Sequence, residues 1–354
     1  DGEDNRSTIT QSGSFSSTEI EQTGEGNRST VGQTGSLAGT SVTQDGDTNT
    51  STVTQSGFGS STDVTQTNFT GFVGNTSTVT QSGAGSSNTV DQTGTANSST
   101  LTQSGIGAIA SITQNGQGNI STASETGLDS DLAVTQLGTG NNSGVTQNGA
   151  GSEVDIFQDG TSNVSSVTGT ALGSTVDVSQ TGTGNSSTVF QSNALLTNAV
   201  GADVDVIQNG TTNTSTVRQL AGGADVLVDQ DGTSNFSDVV GIANNSDVTI
   251  EQDGTGNRSE VDQNAVTLPL AAAFNENQSA NVTQNGEGNT QRLNQFGRNQ
   301  IASITQIGED NISGAPGGAV GITQVGENNT ANLLQEGDRN RSTINQGVGG
   351  STTI

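Results

Sequence analysis

One spacing governs this chain: a Gln returns every 11 residues over nearly its whole length. Of the 29 positions that fit this spacing, 26 are Gln, and Glu125, Gly169 and Gly241 take the other three. Such a period indicates a repeat array, in which a long chain can form one body. We therefore predict one continuous solenoid over residues 1–354. Four longer intervals predict loop insertions near residues 67–75, 192–202, 264–280 and 312–319.

Each repeat has the pattern of a β-strand. The stretch from Asn49 to Gln55 alternates so that Val53 and Gln55 point to one face of an extended chain. Val64 and Gln66 repeat this pattern in the next strand. We call each of the 29 positions in the 11-residue spacing a slot. An apolar and mostly β-branched residue stands two positions before every slot, which predicts strands with one buried face.

Two further residue types mark the connections between these strands. Gly follows most slots by two positions, where we expect positive φ at sharp arches; examples are Gly13, Gly24, Gly35, Gly46 and Gly57. Asn follows every second slot by five positions, in a series that runs to Asn311 and Asn329. The alternation joins two 11-residue units into one coil of 22 residues with two unlike arches.

Stacked coils would place each amide side chain over its equivalent in the next coil, so that the amides form ladders along the axis. We therefore predict an all-β protein, a β-solenoid of stacked two-strand (β-arch) coils that is cross-β-like in its Gln and Asn ladders. The predicted ladder residues are Gln11, Gln22, Gln33, Gln44, Gln55, Gln66, Asn27 and Asn49, with Val53 and Val64 as the aliphatic core.

The first and last coils carry nearly the same strand. The segment from Asn5 to Gln11 differs from that between Asn340 and Gln346 at one position only. Open strand edges can pair with another chain, and a head-to-tail contact that does not close produces a filament. The predicted assembly edges are Asn5, Ser7, Ile9, Ile344 and Gln346.

The repeat resembles that of a known protein family. The stretches from Thr18 to Gln33, from Gln180 to Gln191 and from Gln284 to Asn289 are similar to the curlin repeat of bacterial amyloid fibre subunits. The resemblance implies a secreted structural subunit of an extracellular fibre, a functional amyloid of biofilm matrix and adhesion. It also implies self-association, with secretion and nucleator proteins as further partners.

Composition narrows the functional classes. The 35 acidic residues against 8 basic ones leave a net charge of −27, which disfavours nucleic acid and anionic membranes as partners. No segment reaches the about 20 apolar residues of a membrane span. His and Cys are absent, which removes the usual nucleophile arrangements and imidazole metal sites. We therefore expect that the protein is not an enzyme and has neither a cofactor nor a specific metal site.

The acidic residues predict only diffuse screening by Ca²⁺ or other cations. Asp155, Asp177 and Asp205 take equivalent outward positions, where like charges repel. The chain opens in phase with the repeat and without Met, which is typical of an exported mature product.

Two alternatives to a fibre subunit remain open. An outward column of Thr at positions 8, 30, 52, 78, 100 and 122 resembles the face of an ice-binding β-solenoid. An adhesin stalk is the other alternative, and both would act as monomers. The 27% hydrophobic content favours disorder, whereas the strict spacing favours a folded chain.

Overall fold

The computed structural model describes residues 2–69, 71–169, 171–192, 201–220, 222–241, 244–263, 276–314, 321–347 and 351–353. It divides into two units, Asp1–Thr168 and Gly169–Ile354. Its described residues form strands and turns without a helix, as predicted, and amount to a β-solenoid of about 14 coils of ~22 residues. The single continuous domain stays a prediction.

The first unit consists of two parallel sheets that alternate along the chain. Sheet A contains β1 Arg6–Gln11, β3 Arg28–Gln33, β5 Thr50–Gln55, β7 Thr76–Gln81, β9 Ser98–Gln103, β11 Ile120–Glu125, β13 Asn142–Gln147 and β15 Val164–Gly169. Sheet B contains β2 Ser17–Thr23, β4 Gly39–Asp45, β6 Ser61–Thr67, β8 Ser87–Thr95, β10 Ile109–Gln117, β12 Asp131–Thr139 and β14 Glu153–Thr161.

The second unit repeats this plan with sheets C and D. Sheet C contains β17 Ser186–Gln191, β19 Thr214–Gln219, β21 Phe236–Gly241, β23 Arg258–Gln263, β25 Thr290–Arg298, β27 Ile312–Ser313, β28 Ile322–Glu327, β30 Arg341–Ser342 and β31 Ile344–Gln346. Sheet D contains β16 Thr175–Thr183, β18 Asp203–Thr211, β20 Val226–Thr233, β22 Asp247–Thr255, β24 Ser279–Glu287, β26 Ile301–Glu309, β29 Thr330–Glu336 and β32 Ser351–Thr353.

Like residues stack on like residues between coils. In sheet A, Val31 lies beside Val53 and Gln33 beside Gln55. The side chains of β5 alternate between the interior and the outer face, so that the core lies between the two sheets of a unit. Each interior row contains aliphatic and amide side chains because the sequence alternates with a period of two.

Close stacking of the coils requires Gly two positions after the slot at both kinds of arch, and at one kind this Gly also has positive φ. Where sheet B leads into sheet A, Gly116 has φ +131, a backbone region that only Gly adopts readily. At Gly116 an added Cβ would lie 1.9 Å from the carbonyl oxygen of Gly138 in the next coil. Where sheet A leads into sheet B, the Gly two positions after the slot does not have positive φ, contrary to the expectation from the sequence. At Gly57 an added Cβ would lie 1.9 Å from the carbonyl oxygen of Gly83 in the next coil. Close stacking of coils excludes a side chain there.

A longer arch increases the sequence separation of paired residues but keeps equivalent repeat positions in register. Between β6 and β7 the arch contains the exposed side chains Phe69 and Phe72, and Thr50 pairs with Thr76 across it. Most of the other three predicted insertions, 192–202, 264–280 and 312–319, lies outside the described residues.

Candidate functional site

The Gln side chains of sheet A form one column of hydrogen bonds along the axis. Gln33 Nε2 donates to Gln55 Oε1 at 2.8 Å, and Gln55 Nε2 donates to Gln81 Oε1 at 2.8 Å. Gln11 begins the column with a 2.9 Å bond to Gln33. Every rung for which a bond is described donates toward the coil that comes later in the chain.

Sheet B carries a second Gln column with the same direction. Gln22 donates to Gln44 and Gln44 donates to Gln66, both at 2.8 Å. The remaining hydrogen of the Gln44 amide reaches the opposite sheet, where the carbonyl oxygen of Arg28 accepts it at 3.0 Å. The columns therefore join consecutive coils and also tie the two sheets together, so that fully buried amides have their partners.

The Asn residues form a different kind of link at the arches from sheet B to sheet A. The backbone N–H of Asn49 donates to Asn27 Oδ1 at 2.9 Å, and the Asn27 N–H donates to Asn5 Oδ1 at 3.0 Å. In the second unit the series continues through Asn340, whose N–H donates to Asn311 Oδ1, and not through Asn329. Asn329 follows Gln324, which lies in β28 of sheet C, so it belongs to the other kind of arch, and its assignment to this series from the sequence was wrong.

The predicted edge residues differ in exposure. All six residues of β1 are exposed, and Ile9 is 47% accessible whereas its neighbour Val31 is 1% accessible. By contrast, Ile344 and Gln346 in β31 are 3% and 7% accessible. Gln346 accepts from Gln324 at 2.8 Å and donates to the carbonyl oxygen of Thr330 at 2.7 Å. Their role in assembly stays a prediction.

Glu125 interrupts the column of sheet A. Gln103 Nε2 donates to Glu125 Oε2 at 3.1 Å, and the Glu125 side chain is fully buried. Within the described residues, Glu125 Oε1 and Gln147 Oε1 on the next rung have no hydrogen-bond partner. The pKa of Glu125 is raised to about 7, because the effect of burial and the smaller effect of nearby Asp131 outweigh the Gln103 bond, which lowers it. An ionised Glu125 can only accept, so it cannot donate to Gln147.

Gly241 interrupts the column of sheet C because it brings no side chain. It lies between Gln219 and Gln263, and an added Cβ would meet nothing within 4 Å. We expect Gly241→Gln to raise the free energy of unfolding by about 1 kcal/mol, since the new amide extends the column. Denaturant titration checks this. Gly32→Gln is the control, because that added side chain points to the outer face; an equal gain in both variants would contradict the prediction.

A column of buried Ser in sheet A was not recognised in the sequence. Its members Ser29, Ser51, Ser77, Ser99 and Ser121 have hydroxyls without a hydrogen-bond partner in the described structure. The signal was available, because Ser precedes the slot by four positions in each of these strands. Small side chains fit here beside the aliphatic row.

The hydroxyls of this Ser column predict that removing one of them stabilises the folded chain. We expect Ser99→Ala to raise the free energy of unfolding by about 1 kcal/mol, because a buried hydroxyl without a partner costs desolvation energy. Thr100→Ala, on the outer face of the same strand, is the matched control for thermal denaturation. Destabilisation by Ser99→Ala would show that the hydroxyl has a partner.

Acidic side chains gather on the outer face of sheet D. Burial first, and then the neighbouring carboxylates Asp203 and Asp225, raise the pKa of Asp205. Burial and the neighbouring acids Asp231 and Glu251 do the same for Asp229. In the described residues no group of three or more acidic side chains has the arrangement of a metal site. Among the described residues there is also no helix that is long and apolar enough to cross a membrane.

Together these features define the class: a parallel β-solenoid whose coils are joined by amide columns, a structural rather than an enzymatic architecture. The sequence model of the curlin associated repeat matches residues 2–35, 39–67, 127–160 and 149–182. Four segments of the chain thus match the curlin associated repeat, in line with the resemblance seen in the sequence. Extracellular fibre and matrix roles fit that family. Among curated proteins, none matches the chain.

Proposed function

We propose that this protein is a secreted subunit of an extracellular fibre, a functional amyloid of biofilm matrix and adhesion that grows by end-to-end addition of further copies. Secretion and nucleator proteins would be its other partners. The observation that carries the proposal is the open edge of sheet A at β1. Six consecutive residues are exposed there, although their equivalents in β3 alternate between exposed and buried.

The hydrogen-bond direction supports a head-to-tail contact. Gln11 donates into its own column, so its Oε1 can accept from a preceding rung. Gln346 accepts from Gln324 and keeps one Nε2 hydrogen beyond its bond to Thr330. A Gln346 amide of one copy would thus donate to Gln11 of the next, in the same direction as the Gln–Gln bonds within the chain. Ile9 would be covered as Val31 is.

A proline at the edge tests this proposal. The Arg6 N–H donates to the Asn27 carbonyl oxygen at 2.8 Å, so the next N–H, that of Ser7, points away from β3. Ser7→Pro removes an N–H that is needed only by an added coil. We expect this variant to fold, by circular dichroism, and to form no fibres in electron microscopy, whereas Ser7→Ala forms them. Normal fibres of Ser7→Pro, or a wild-type chain that stays monomeric, would refute the proposal.

Salt should accelerate assembly, because aligned acids such as Asp177 and Asp205 repel between coils and between copies. Between 0.01 M and 1 M salt the Debye length falls from about 30 Å to about 3 Å. We expect elongation, followed by light scattering, to be faster at high salt. NaCl and CaCl₂ at equal ionic strength should act alike if screening is diffuse. Equal rates in chelator at low salt and in concentrated brine would contradict this prediction.

Ice binding is a second candidate because one observation favours it. Thr8, Thr30, Thr52, Thr78 and Thr100 pair in register on the outer face of sheet A. This array is regular, as an ice-binding face requires. A measurement of thermal hysteresis with the monomeric Ser7→Pro variant tests this candidate, and the absence of hysteresis would exclude it.

A further inference from the structure

Exposed apolar side chains recur at the arches that lead from sheet A to sheet B in the first unit. We name this set the apolar ridge: the exposed Phe15, Leu37, Phe58, Ile106 and Leu128, with the half-buried Ala84 and Ala150. Phe15 is 91% accessible and Phe58 60%, and Leu37, Ile106 and Leu128 are at least half exposed. A row of large exposed apolar side chains is uncommon on a soluble surface and marks an interaction site.

Backbone bonds stack these arches directly on one another. The Gly85 N–H donates to the Phe58 carbonyl oxygen at 2.8 Å, and the Asp129 N–H donates to that of Ile106 at 2.8 Å. In the equivalent bond the Leu37 N–H donates to the Ser14 carbonyl oxygen at 2.9 Å, so Phe15 and Leu37 stand one position later in the arch than Phe58 and Ile106. Each coil of the first unit from β1 to β14 therefore contributes one apolar residue, and the ridge repeats once per coil.

The charges of the first unit avoid this edge. The arch segments 12–17, 34–39, 56–61, 82–87 and 104–109 contain no charged residue, and Asp129 is the first acid that the ridge meets. The adjoining outer face of sheet A bears Thr, Ser, Gly and two Arg together with Ile120, Asn142 and Val164, but no acid. The acids lie instead on the outer face of sheet B and at the opposite arches, which include Asp45, Asp47 and Asp159.

We propose that the apolar ridge is the lateral contact at which a second copy of this chain packs side by side with the first. Two copies with a net charge of −27 repel each other through their acidic faces, and along this edge they do not. A basic partner would instead prefer the acidic outer face of sheet B. A partner can contact every residue of the ridge only if its own contact residues repeat with the same spacing between coils. Another copy of this chain has that spacing.

This proposal builds on the proposed fibre, because end-to-end growth lengthens the ridge. A single pair of apolar rows holds two copies weakly, but many rows on two filaments act together as a multivalent contact. The ridge therefore predicts paired or bundled filaments rather than lateral dimers of isolated short chains as the dominant species.

Removal of the ridge tests the proposal without disturbing the core. The triple variant Leu37→Ser, Phe58→Ser and Ile106→Ser changes exposed side chains only. The control triple Phe69→Ser, Phe72→Ser and Val73→Ser removes equally exposed apolar groups from the opposite arch. We expect wild type and control to form bundles, and the ridge variant to form single filaments with no more than about half the wild-type mass per length. Wild-type mass per length in the ridge variant would overturn the proposal.

Crosslinking locates the contact and separates this proposal from that of the fibre. The chain has no Cys, so Phe58→Cys and Phe72→Cys each introduce a unique thiol. A short bis-maleimide should crosslink Phe58→Cys into dimers and leave Phe72→Cys uncoupled. If fibres form without Phe58→Cys dimers, the ridge proposal fails and the fibre proposal stands. If no fibres form, sedimentation equilibrium at high protein concentration decides. Weak association that the ridge triple abolishes supports the ridge, and the absence of any concentration-dependent association refutes it.

Discussion

Replacement of Glu125 by Gln should raise the free energy of unfolding by about 3 kcal/mol above neutral pH. Burial raises the pKa of this carboxyl from 4.5 to about 7 in the folded chain. Between these two values the folded state holds a proton that the unfolded state has released, so stability falls as pH rises. Below pH 4.5 both states are protonated and the penalty is absent. Each pKa unit corresponds to about 1.4 kcal/mol.

The substituted Gln also completes the column. It would accept from Gln103, as Glu125 does, and its own N–H would donate to the unpaired Gln147 Oε1. At low pH the protonated Glu125 can make the same donation, so wild type and variant should converge on acidification. Urea unfolding across the pH range measures the difference. Glu153→Gln, which removes an exposed acid from the same unit, should change stability by less than about 0.5 kcal/mol. A pH-independent gain for Glu125→Gln would refute this account.

Loss of a central rung should be equally costly. Gln92 accepts from Gln66 at 2.8 Å and donates to Gln114 at 2.7 Å and to the Thr76 carbonyl oxygen at 3.0 Å. Gln92→Leu keeps the volume but leaves the buried Gln66 Nε2 and Gln114 Oε1, and the part-buried Thr76 carbonyl oxygen, without that partner. Since each buried group costs about 1–3 kcal/mol, we expect a loss of about 3 kcal/mol.

The same substitution at the edge provides the matched control. Gln11 donates to Gln33, but it is exposed, so water can replace its amide in a Gln11→Leu variant. Denaturant titration of both variants should show a small effect at Gln11 and a large one at Gln92. Equal losses would mean that the side chains matter through strand propensity and not through the columns.

Spacing alone was enough to predict the strands, the inward aliphatics and the amide ladders. Val53 and Gln55 share a face because side chains alternate with a period of two, and the 22-residue period brings equivalent residues together. Both facts are local or periodic, so no knowledge of three-dimensional packing was needed.

Features that depend on the neighbouring coil could not be obtained in this way. The need for Gly at position 57 comes from the Gly83 carbonyl 1.9 Å from an added Cβ, which no local pattern encodes. The raised pKa of Glu125 requires its depth and the position of Asp131. The covered state of Ile344, in contrast to Ile9, depends on packing at each end of the stack.

The common direction of the Gln bonds has a consequence for any fibre made from this chain. Since each amide gives its hydrogen toward the later coil, the two tips of such a fibre would be chemically unlike, one offering oxygens and the other hydrogens. Elongation should therefore be asymmetric, with each tip having its own speed. A blocking peptide that ends in an acceptor would stop only the hydrogen-offering tip.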